Sequence, residues 1–89
     1  MSDLDQRRRT VRVLELIGQF TQADARGGTA EADRLISEAA DVDPLAVAWI
    51  HDSIVAREIP NPERDWPAWT EYVQAARDAL AEAEQDGEA

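Results

Sequence analysis

Apolar side chains recur at every third or fourth residue through almost the whole chain, and nowhere do they alternate with the period of two that a strand needs. An all-α fold follows, and the interruptions of that rhythm set how many helices it has. Gly27-Gly28 offers the left-handed backbone on which helices commonly end. Asp43-Pro44 is a start signal: the carboxylate accepts an orphaned N–H, and proline at the first helical position gives up no hydrogen bond that was needed. Pro60-Asn61-Pro62 is the clearest break, because neither proline can donate and each pushes its predecessor out of the helical basin. The expectation is a small bundle of about four helices joined by short turns and mostly antiparallel. It forms a single domain over residues 1–89, with 1–3 and 84–89 frayed.

Ser2, with Asp5 three residues later, reads as a loose cap for a first helix that reaches Arg26. On it Arg9, Val13, Leu16, Ile17 and Phe20 share one side, and Arg8, Arg12, Glu15 and Gln19 another. Thr29 is expected to cap a shorter second helix, whose Ala32, Leu35, Ile36, Ala39 and Ala40 form a face of mostly small side chains suited to close approach. Asn61 is expected to cap a single turn, and Asp65 a long last helix with Pro67 in its first turn. There Trp66, Trp69, Val73, Ala76, Leu80 and Ala83 alternate spacings of three and four in a narrow seam, flanked by Tyr72 and Ala79.

The third helix, expected from Pro44 to about Ile59, does not divide into two faces. Val47, Ile50 and Ile54 lie on one side, but Leu45, Trp49 and Ala56 lie nearly opposite, with Ala48 and Val55 on a flank. A helix apolar nearly all round is either central in its fold or covered by a partner. In a chain of 89 residues there is little material to bury both sides, which leaves the Trp49 face for self-association.

Composition narrows the class of function. With 44% hydrophobic against 31% charged residues the chain is too apolar for wholesale disorder, and no window approaches a membrane span. The start Met-Ser-Asp-Leu-Asp has no basic region followed by an apolar run, so no secretory leader is expected. With no cysteine, disulfides and thiolate metal sites are excluded, and a reducing cytoplasm is the expected location. All the basic residues are arginine. That matches the coding bias of a GC-rich genome, as in a high-GC bacterium or its phage.

No catalytic group stands out. His51-Asp52-Ser53 has the letters of a hydrolase site, but adjacent helical residues point about 100° apart, so the three cannot converge. His51 shares a side with Val47 and Val55 and is expected to pack half-buried. One histidine without cysteine makes a poor zinc site, and no Asp spacing resembles a calcium loop. Asp41 and Asp43 flank a helix start, where caps belong. Gly27-Gly28-Thr29 precedes a helix but lacks the spacing and the lysine of a phosphate loop, so no enzyme, cofactor or small-molecule substrate is expected.

Arg7, Arg8, Arg9 and Arg12 form the one basic cluster in a chain of net charge -10. Asp3 and Asp5 each stand four residues before Arg7 and Arg9, the favourable helical orientation for an ion pair. Arg8 and Arg12 lack such an acid and are the candidates for partner contact; Glu15 lies one turn beyond Arg12, so Arg8 has the best claim on an external partner. A duplex would meet a nearly neutral patch on a repulsive body, so direct nucleic-acid binding is not expected. Residues 29–59 could be drawn as a helix-turn-helix regulator, but the second helix would offer Asp43, Pro44, Leu45 and Ala46 to the bases, none of them basic.

The expected function is that of a small, acidic, non-enzymatic protein–protein interaction module, homodimeric or an accessory subunit. Its anchors would be Leu45, Trp49 and Ala56, or Trp66, Trp69 and Tyr72. A second expectation is inhibition by mimicry, with carboxylates presented to the basic groove of a nucleic-acid-binding protein.

Overall fold

A computed structural model describes residues 3–87 of the chain, and these form four α-helices with no strand among them: α1 (Asp3–Ala25), α2 (Thr29–Val42), α3 (Pro44–Val55) and α4 (Trp66–Gly87). The described residues thus make a small all-α bundle, with α1 as its hub. Every other helix packs on α1, α2 and α3 also touch each other, and α4 meets α1 alone among the helices. The cap at Ser2 lies outside the described residues.

The hub role explains why α1 is buried on two sides. Val13, Leu16 and Ile17 belong to the core cluster, as the helical periodicity indicates. Val11, Leu14 and Gly18 are buried as well. A helix carrying neighbours on both flanks needs a wider apolar band than one lying at a surface. α4 approaches closely at Gly18: a Cβ there would stand 2.9 Å from Nε1 of Trp69.

Chain reversals follow the local chemistry. Gly27 takes a φ of 78°, and the Gly28 N–H donates to the Ala23 carbonyl at 2.9 Å, closing α1. Thr29 does not cap α2; it is already inside the helix, Gly28 holds the cap position, and no side chain bonds there. Asp43 does cap α3, accepting on Oδ1 from the N–H groups of Leu45 and Ala46, both at 3.1 Å. Its Oδ2 accepts from Gln6 of α1 at 2.9 Å and faces Arg9 at 3.6 Å. One carboxylate therefore fixes both the start of α3 and its position relative to α1.

Helix α3 ends earlier than its apolar pattern implies, at Val55 rather than Ile59. Arg57 adopts a φ of 63°. Its N–H donates to the Ile54 carbonyl at 3.1 Å, and the Glu58 N–H to the Ser53 carbonyl at 2.9 Å. That pair of bonds is the Schellman closure, usually built on glycine. Ile59 is still buried, but from the connecting segment rather than from the helix. In that segment Asn61 accepts from the Glu63 N–H at 2.9 Å, and Asp65 caps α4 through the Ala68 N–H at 3.1 Å. α4 then continues through the acidic stretch to Gly87, where fraying from residue 84 is expected.

Candidate functional site

The three tryptophans have different surroundings. Trp69 is 2% exposed and belongs to the core against α1, with Tyr72 stacked beside it at a ring-centroid distance of 6.4 Å. Trp66 and Tyr72 are half-buried and pack on the same cluster. The aromatic patch read from the sequence is thus largely the means by which α4 docks on α1. Trp49, by contrast, is 52% exposed, and Leu45, one turn earlier, is 81% exposed.

Helix α3 owes this to where its neighbours lie. Ala46, Ile50 and Ser53 are buried toward α1 and α2, and α4 does not reach the other side. Ala48, Asp52 and Ala56 are exposed there alongside Leu45 and Trp49. Periodicity places Leu45, Trp49, Asp52 and Ala56 along one stripe, since each is separated from the next by about one turn. Asp52 is the one carboxylate within α3; the remaining charge of the chain sits elsewhere.

The flank of α3 holds a feature the linear sequence does not signal. Val55 is 68% exposed. Beside it, Phe20, Ile36, Val47, His51 and Ile54 line an apolar cleft of about 280 Å³ at the junction of α1, α2, α3 and the 61–63 turn. His51 is at its rim and exposed, not half-buried, because α3 turns that side outward; its Nδ1 lies 3.7 Å from the Asp52 carboxylate. A second cleft, of about 690 Å³, separates the end of α3 from the start of α4 and includes Arg57 and Arg64.

Ion pairing accounts for most of the arginines. Arg8 reaches Asp5 at 3.2 Å and Glu84 at 3.6 Å, and Arg12 reaches Glu38 at 3.3 Å. Arg9 turns to Asp43, while Asp5 serves Arg8 one turn on, so the four-residue pairing read from the sequence gives way to contacts with α2, α4 and the α3 cap. Arg26, Arg34 and Arg77 also meet carboxylates, the last holding Glu15 at 2.8 Å and tying α4 to α1. Among the described residues, the side chains of Arg7, Arg57 and Arg64 make no ion pair or hydrogen bond.

The Asp43 carboxyl titrates below its ordinary range. The Gln6 amide, the two backbone N–H groups of the cap and the Arg9 guanidinium hold its pKa below the ordinary Asp value, against an opposing push from burial. Its role is in the scaffold. Among the described residues no three His, Asp or Glu side chains gather as a metal ion would require. No helix there is long and apolar enough to cross a membrane. No protein-family model, curated protein or solved structure matches the chain.

Proposed function

We propose that this chain is a small acidic, non-enzymatic interaction module that meets a protein partner through the outer face of α3, with Leu45 and Trp49 as its anchors. The observation that carries this reading is the exposure of those two side chains, 81% and 52%, one turn apart on a helix whose opposite side already fills the core. Isolated exposed apolar residues are ordinary on a protein surface; a Trp and a Leu adjacent on one stripe, with Ala56 below and Val55 on the flank, form a patch. Tryptophan is also among the residues that most often dominate interface energetics.

Charge argues for a protein partner over the other classes. A body of net charge -10 is repelled by phosphate backbones and by anionic lipid. Arg8 and Arg12, the members of the basic cluster with no acid four residues before them, are held by Glu84 and Glu38. A cytoplasmic location belongs to the same proposal and rests on the absence of cysteine.

A photo-cross-linking residue at Ala48, beside Trp49, tests the reading, with the same residue at exposed Ala75 on α4 as control. Irradiation in native cells should give discrete protein adducts from position 48 and none from position 75. Equal or absent adducts at the two positions would sink the proposal.

A further inference from the structure

We infer that the partner of the α3 face is a second copy of this chain, docked with the two α3 helices antiparallel about a two-fold axis near Trp49 and Asp52; this rests on the reading that α3's outer face is the contact surface. The stripe is graded in size. Its first half carries Leu45 and Trp49 and its second half Asp52 and Ala56. Turned end over end, it complements itself: Leu45 lies over the partner's Ala56, and Trp49 over the partner's Asp52. A parallel pairing would instead set bulk on bulk at one end and leave a gap at the other.

Three further features favour that arrangement. Antiparallel helices align their dipoles head to tail, whereas parallel ones oppose like ends. The indole N–H of Trp49 is a donor and Asp52 an acceptor, so the large-on-small contact is also polar-matched. Finally, Arg57 follows α3 at one end and exposed Asp41 precedes it at the other, and neither side chain has a partner among the described residues. Antiparallel docking carries each Arg57 toward the start of the partner's α3, where the partner's Asp41 stands. The parallel form would crowd the two Arg57 side chains instead.

Charge also selects a second copy over a basic protein. A basic partner would be drawn to the carboxylate-rich surfaces of α1, α2 and α4, whereas α3 carries Asp52 alone. An interface that joins two such bodies works against their net repulsion. Added salt screens that repulsion and strengthens the dimer, the reverse of what an electrostatically recruited partner would show. One twelve-residue helix offers less than the ~800 Å² per partner of a standard interface. The dimer is therefore weak and concentration-dependent.

Light scattering on the full chain over a concentration series at low and moderate salt, combined with engineered cysteines, tests this. The natural chain has no cysteine, and Leu45 and Ala56 are exposed, so single variants L45C and A56C should keep the native helical circular dichroism. Mass should rise from monomer toward dimer with concentration, further at higher salt, and W49A should weaken association by about 30-fold. On oxidation, a mixture of L45C and A56C should give the mixed disulfide faster than either variant gives its own dimer. A strictly monomeric mass at every concentration overturns the inference, as does dominant self-coupling of L45C. If position 48 still cross-links to a different protein while the mass stays monomeric, the interaction reading survives and the second-copy inference alone falls.

Discussion

Asp43 shows how one residue can set the geometry of a surface it does not belong to. Its two oxygens cap α3 and hold Gln6 and Arg9 of α1, so the direction in which Leu45 and Trp49 leave the bundle depends on it. Because its folded pKa is lowered, its contribution is complete above the unfolded value, about 4, and is lost as pH falls through the lower folded value. The stability gap between the native protein and D43N, measured by urea unfolding, should therefore be widest near neutrality and close at acid pH. Arg57 is the opposite case, a side chain in a backbone position that suits glycine. R57G should stabilise the isolated fold by about 1 kcal/mol by relieving the left-handed strain. In the proposed dimer the same change should weaken self-association, because it removes the cation that would face the partner's Asp41. Gly18 meets Trp69 so closely that G18A should destabilise despite its better helix propensity, since overpacking costs about 1–3 kcal/mol against about 1 kcal/mol gained.

At the scale of elements, α3 and α4 use tryptophan for different ends. Trp69 seats α4 on α1, and W69A should cost about 3–5 kcal/mol in urea unfolding, as large aromatic truncations in a core do. W49A should leave monomer stability within about 0.5 kcal/mol, because half of its surface is already in water. The two variants thus separate a residue that holds the fold from one that is available to a partner. α4 depends on a single neighbouring helix, since among the helices it meets α1 alone, and it adds to its apolar seam the Arg77–Glu15 and Arg8–Glu84 pairs. Both pairs are exposed, so each adds at most about 1 kcal/mol, and the seam from Trp66 to Leu80 carries the docking.

The described residues form an elongated body, 46 × 25 × 21 Å over the Cα atoms, in which every helix packs on α1 and α4 does not reach α2 or α3. That openness is what leaves one side of α3 in water. Its net charge of -10 also acts on the whole body, as self-repulsion that favours less compact states. Raising the salt concentration from 10 to about 150 mM, which shortens the screening length from ~30 to ~8 Å, should raise the thermal midpoint. A midpoint that falls with salt would mean that the internal ion pairs outweigh the repulsion.

The sequence by itself determined the helices, the breaks between them and the caps at Asp43 and Asp65, because these follow from chemistry within a few residues: proline lacks an N–H, aspartate accepts one, and the apolar period marks a face. It also marked α3 as carrying more apolar surface than its own fold needs. It misjudged Thr29 and the end of α3, where several residues compete for one boundary and the backbone chose Gly28 and Arg57. Which tryptophan meets water was not legible, since Trp49, Trp66 and Trp69 all lie on apolar helical stripes and differ only in whether another helix arrives. The pairing of Arg8 with Glu84 and of Arg12 with Glu38, and the cleft below Val55, likewise join residues distant along the chain. Burial is a property of neighbours, and only the packing of α2, α3 and α4 around α1 decided which apolar face is covered and which is left open.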